Sequence, residues 1–236
     1  MKLTTRNTQI NDLPACLRLV EADYLGQEGR CPAKADLLRL WKHLLQQGLA
    51  RSAVVEVTTL SSQTARIAGF GLTVCVNERF LREYQARPRP FLITAVLEAW
   101  QSGCAPFLDA RALDQANRNN GVNLLGLHTC WSGGSGWSGK FTSDDLQQQQ
   151  MVAVRDAMMG ALFQFHRDVR IKTFCKEIYG DEELARYRQF GMEPWPNETF
   201  YAHYAQEEEE GESSRSFSSS RPYLMGIDRV SALEPV

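Results

Sequence analysis

The chain has 236 residues, 43% hydrophobic and 23% charged, with a net charge of −2. That length suits one sizeable α/β domain or two small ones, and no bulk charge draws it to nucleic acid or an anionic membrane surface. Six cysteines are scattered with no C-x-x-C pair and no histidine at ligand spacing, so neither a disulfide framework nor a metal site organises it, and reduced thiols in a cytosol fit better.

The opening MKLTTRNTQINDLP lacks the apolar core of a signal peptide. No run approaches the roughly 18 apolar residues that a membrane span needs. The expected location is cytoplasmic, with no membrane partner. A first helix is expected over 12–24, with Asn11 as N-cap, Pro14 in the first turn and Leu13, Cys16, Leu17 and Val20 as its apolar stripe. A second spans 35–47 and stops at Gly48, with Leu37, Leu38, Trp41, Leu44 and Leu45 at helical spacing.

Residues 52–57 read as a strand and 67–76 as a second. In the second, Phe70, Leu72, Val74 and Val76 share one face while Gly69, Gly71 and Thr73 line the other. Such small residues invite close packing by a helix or a ligand. Residues 77–121 look helical and irregular, broken by Pro88 and Pro90. The strand 121–131 is apolar on both faces at its start, as a central strand is. A glycine-rich loop follows, and then a long helix over about 144–167, capped by Ser143 or Asp144 and burying Val154, Met158, Leu162 and Phe165. Strand 171–179, short helix 181–190 and strand 199–204 come next. The acidic and Ser-rich stretch 206–221 reads as a disordered loop, and 223–227 as a last strand. This order gives an α+β fold around a mixed sheet.

The glycine loop carries the loudest chemical signal. Gly134 to Lys140 has the spacing of a phosphate-binding P-loop between a strand and a helix, where freed amides surround an anion. Phe141 stands where a magnesium-ligating hydroxyl belongs, and strand 171–179 carries Lys172 and Lys176 instead of a terminal aspartate. Both features speak against an NTPase. Trp131 and Trp137 suit a packed loop or lid. His128, at the loop end of its strand, has the chemistry of a base at neutral pH and equally that of a hydrogen-bonded core residue. Glu177 shares a strand face with Thr173 and Cys175, as a base or as a solvated strand-end charge. His166 and His203 have no arguable partner, and Glu207–Glu210 reads as a solvated run.

The segment Tyr187-Arg-Gln-Phe-Gly191-Met192, on a short helix directly after a strand, resembles the closing motif of the GCN5-related N-acetyltransferase (GNAT) superfamily, with Met where the family has Phe. The order of the upstream elements is similar too. The resemblance implies a GNAT-like, mixed and mostly antiparallel sheet flanked by helices, in one domain over 1–236 with 77–121 as a helical insertion. It implies acyl transfer from acetyl-CoA or another acyl-CoA to an amine of a small molecule or protein, the co-substrate lying between strands 122–130 and 171–179. A homodimer is compatible with it.

By position, Tyr187 is then the acid that protonates the departing thiolate, with His128 or Glu177 as base. Gly133, Gly134, Gly136, Gly139 and Lys140 form the phosphate site, and no metal is called for. The glycines depart from the family's Gln/Arg-x-x-Gly-x-Gly/Ala pattern. Asp144 and Asp145 in the first helical turn favour the helix dipole but repel a pyrophosphate, with Lys140 as an offset. The other reading is a GNAT fold without catalysis, serving as a ligand-binding or regulatory module.

Overall fold

The computed structural model describes residues 1–23, 32–59, 62–86, 92–132, 145–165, 169–179, 181–189, 191–194 and 222–228. They fall into two compact units, Met1–Val74 with Gly126–Arg170, and Cys75–Leu125 with Ile171–Val236.

In the first unit, β1 (Lys2–Asn7), β2 (Ala50–Thr59), β3 (Ser62–Val76) and the latter part of β4 (Val122–Trp131) follow one another in the sheet. β1 and β2 run antiparallel, with Leu3 opposite Val57, and so do β2 and β3, with Ala53 opposite Gly71. One face is covered by α2 (Lys34–Gln46), whose Leu37, Leu40, Trp41 and Leu44 are all fully buried. Their i, i+3, i+4, i+7 spacing makes a single stripe, and burying each side chain is worth about 2 kcal/mol. Trp41 meets Phe70 of β3 with ring centroids 5.3 Å apart.

The opposite face is covered by α6 (Asp145–Phe165). Its Val154 and Met158 join Val55, Val57 and Ala68, and its Ala161 and Leu162 join Ala53. The small face of β3 is therefore a seat for a helix. A Cβ added at Gly71 would stand 2.7 Å from Leu162 Cδ1, and one at Gly69 would stand 2.9 Å from Val154 Cγ1. Glycine is needed there for closeness rather than for conformation.

In the second unit, β5 (Ile171–Tyr179) pairs antiparallel with β7 (Pro222–Asp228), and β7 with the two-residue β6 (Glu193–Pro194). The 77–121 segment forms α3 (Glu78–Ala86), α4 (Leu92–Gln101) and α5 (Ala110–Arg118). It is tied back to the end of β3, where Leu108 N–H donates to Cys75 and Asn77 N–H donates to Pro106. α4 buries Leu92, Ile93, Ala95, Val96 and Leu97. The fold class is α+β, a mixed sheet flanked by helices.

Two expectations change at the N-terminus. β1 was not expected, because KLTTRN has no apolar alternation; backbone pairing to β2 makes it a strand. Asn11 is no N-cap. It lies inside a 3₁₀ turn, Ile10–Asp12, that leads into α1 (Leu13–Asp23), and Asp12 accepts the Gln9 N–H at 2.7 Å. Arg6 fixes that carboxylate by a two-pronged contact at 2.6 and 2.9 Å and reaches Glu56 at 2.7 Å. The expected strand at 199–204, the loop 206–221, His166 and His203 lie outside the described residues.

Candidate active site

The second unit holds the tyrosine of the closing motif. α7 (Asp181–Gln189) ends at Gly191, whose φ of +75° only glycine adopts cheaply. Gly191 N–H donates to Arg188 and Met192 N–H to Tyr187, the two bonds of a Schellman terminator. Tyr187 is buried, and its Oη accepts a hydrogen bond from Lys176 Nζ of β5 at 2.7 Å. Lys176 is itself only 6% exposed.

A buried ammonium is costly without a partner, so the phenol oxygen is part of what makes this placement tolerable. The chain betrays the arrangement in IKTFCKEIY. Lys176 occupies the alternation that carries Phe174 and Ile178, both buried. In the sequence this lysine weighs only against an NTPase, although a charge in the apolar register of a strand also signals a buried partner.

Glu177, the next residue, points to the opposite face of β5 by strand alternation. Its carboxylate accepts the Leu92 N–H at 2.7 Å. That amide is one of the orphan donors of the α4 N-terminus, where a negative charge is favoured. Glu177 and Tyr187 are thus served by different faces of one strand. Buried Cys175 has its thiol pushed well up, by burial first and then by the Glu177 charge.

Nearby, Lys172 Nζ and Asn123 Nδ2 both donate to the Glu78 carboxylate, at 2.9 and 3.1 Å. Lys172 first, then Asn123, holds Glu78 below the usual carboxylate range.

His128 belongs to the first unit. It is 3% exposed, edge-on to Trp41 at 5.0 Å and stacked on Phe70 at 6.0 Å. Its imidazole packs as a plate in the aromatic layer under α2. The expected phosphate loop, Gly133, Gly134, Gly136, Gly139 and Lys140, together with Trp137 and Asp144, lies outside the described residues. The chain before it is held by Ser132 N–H donating to Ala68 at 2.7 Å. Among the described residues there is no metal-binding cluster, and no helix is long and apolar enough to cross a membrane.

No family model matches the sequence, and no curated protein does. Among solved structures, the chain is similar to the loading GNATL domain of CurA from Lyngbya majuscula. The TM-score is 0.53 at 12% identity, over 97% of this chain and 98% of that one. It is also similar to the C-terminal condensation domain of Ebony in complex with beta-alanyl-dopamine, with TM-score 0.48 and 10% identity over 97% and 99% of the two chains. For the ribosomal-protein-S18-alanine N-acetyltransferase from Escherichia coli the values are 0.45 and 11%, over 100% and 99%. The CurA likeness shows the fold alone, a GNAT-like α+β fold shared with that GNATL domain.

Proposed function

We propose that the chain transfers an acyl group from an acyl-CoA, with acetyl-CoA as the simplest donor, to the amine of a small molecule or protein. The observation that carries this reading is Tyr187. It stands at the motif position four residues before the helix-ending glycine, buried, with its hydroxyl held by Lys176. The GNAT-like fold supports the reading, and because a fold hosts many functions the weight rests on the site residues.

In this reaction the amine attacks the thioester carbonyl and Tyr187 gives its proton to the departing thiolate. Of the two proposed bases, Glu177 is engaged by the α4 amide and His128 by its aromatic neighbours. The attacking amine is proposed to pass its proton to water, directly or by way of His128 or Glu177. The glycines at 133, 134, 136 and 139, with Lys140, are proposed to meet the pyrophosphate ahead of α6, since a 21-residue helix offers an anion a favourable N-terminus.

Calorimetry with acetyl-CoA on the full chain tests donor binding, and release of free thiol in the presence of primary amines tests transfer. Tyr187→Phe is expected to retain affinity and to lose most of its turnover. No heat with acetyl-CoA would leave the fold serving another ligand, as a binding or regulatory module.

A further inference from the structure

We propose that Lys176 is a positioning residue for Tyr187 and resupplies its proton, so that the acid of the reaction is a lysine–tyrosine pair rather than a lone phenol. The inference rests on the acyl-transfer reading above.

Three observations carry it. The Lys176 Nζ to Tyr187 Oη distance is 2.7 Å, short for an N–H···O bond and in the range of charge-assisted contacts. Both side chains are more than nine-tenths buried, so water does not screen the interaction as it would a surface pair. The ammonium also lies over the ring, 4.9 Å from its centroid, so it holds the hydroxyl at 2.7 Å while resting against the aromatic face.

A phenol oxygen that accepts from an ammonium still has its own O–H to donate. Held between a fixed helix end and a strand lysine, that O–H has little freedom of direction. Preorganised polar groups of this kind cost no rearrangement as charge develops.

The proton count closes. The acceptor nitrogen forms its bond to the acyl carbon as the carbon–sulfur bond breaks, and the sulfur keeps the electron pair. The sulfur takes the Tyr187 proton. The phenolate left behind takes one from the Lys176 ammonium, which becomes a neutral amine. The nitrogen of the new amide releases its extra proton to water, and Lys176 recovers one from water. Net, an amine and a thioester give an amide and a thiol, with both residues restored.

The charge on Lys176 is most valuable after Tyr187 has given up its proton, when a bare phenolate would otherwise be buried. It should therefore affect turnover far more than binding.

The test is thiol release from acetyl-CoA in the presence of primary amines. The full-length chain is compared with Lys176→Met, Lys176→Arg, Tyr187→Phe and Lys176→Met/Tyr187→Phe, each checked for folding by thermal melting. Lys176→Met should lower kcat about 10- to 100-fold and leave KM for acetyl-CoA within about twofold. Lys176→Arg should recover part of the loss. The double variant should be no slower than Tyr187→Phe, because Lys176 acts only through the phenol. With nitrothiophenyl acetate, whose thiolate leaves without a proton, the wild type and Lys176→Met should react alike.

Full turnover in Lys176→Met, or losses that multiply in the double variant, would overturn the pair. If Lys176→Met does not fold, the same comparison is made with Lys176→Gln, which keeps a polar hydrogen-bond donor without the charge. A wild-type chain that neither binds acetyl-CoA nor releases thiol overturns the acyltransferase reading itself, and is distinguished from failure of the pair by that control.

Discussion

Met192 N–H donates to the Tyr187 carbonyl at 3.2 Å, so the residue after the helix-ending glycine is bonded back to the tyrosine itself. Both side chains are buried. The device that stops α7 is therefore also the device that fixes the backbone bearing the phenol, and a change at the stop should be felt at the tyrosine.

Gly191→Ala tests that link. A Cβ at φ +75° costs about 1–2 kcal/mol relative to glycine. Urea unfolding should show a loss of about that size, and amide exchange at Met192 should speed up. Unchanged stability would mean that the terminator is not what holds this end of α7.

Gly71 should tolerate a methyl group poorly. An added Cβ meets Leu162 Cδ1 at 2.7 Å and Met158 Cγ at 3.1 Å, both in the α6 seat. Gly71→Ala is expected to cost about 1–3 kcal/mol by overpacking. Shortening the neighbour should relieve the clash, so Gly71→Ala/Leu162→Ala should lose less than the sum of the two single variants. Strict additivity would argue against the contact.

Asp12 gives a pH-dependent stability term. The Arg6 hydrogen bonds, first among the causes, lower its carboxyl in the folded state. A folded-state value below the unfolded one means that the unfolded chain binds more protons as acid is added. The contribution is complete above the usual carboxylate value of about 3.9 and is lost as pH falls through the lower folded value. Asp12→Asn should cost about 1–2 kcal/mol at neutral pH, and its gap to the wild type should close below about pH 4. A gap that persists in acid would remove the charge from the explanation.

The thiols should divide by burial. Cys16 is fully buried and pushed up to about 12, chiefly by desolvation, and Cys175 is raised in the same way. Cys104 is exposed. A thiol reagent at neutral pH should modify Cys104 in the native chain and reach Cys16 and Cys175 only on unfolding. Native-state labelling of Cys175 would contradict its placement in β5.

The parts of the fold that were legible in the sequence are those with strong periodicity. The α2 helix was readable because its apolar residues recur at helical spacing, and α7 was marked by Gly191. β1 was hidden, since KLTTRN has no apolar alternation and becomes a strand only through its partner.

The small face of β3 was visible, and of the two occupants it allows, the helix is the one that α6 supplies. Whether a helix or a ligand fills a glycine row is decided by the packing of α6. In the candidate site, the Tyr187 motif stood out by spacing, whereas Lys176 stood out only as a charge in an apolar strand register, and its partner became visible with α7. Glu177 was ambiguous for the same reason. Its bond to the Leu92 amide joins residues 85 positions apart.

The most direct measurement of the central claim is thiol release from acetyl-CoA by the wild-type chain and by Tyr187→Phe, alongside calorimetric affinity for the same donor. The acyl-transfer reading predicts matched affinity and at least a tenfold fall in turnover for the variant, the usual scale for losing a general acid being about 10²–10⁴. Equal turnover in the two chains would contradict it.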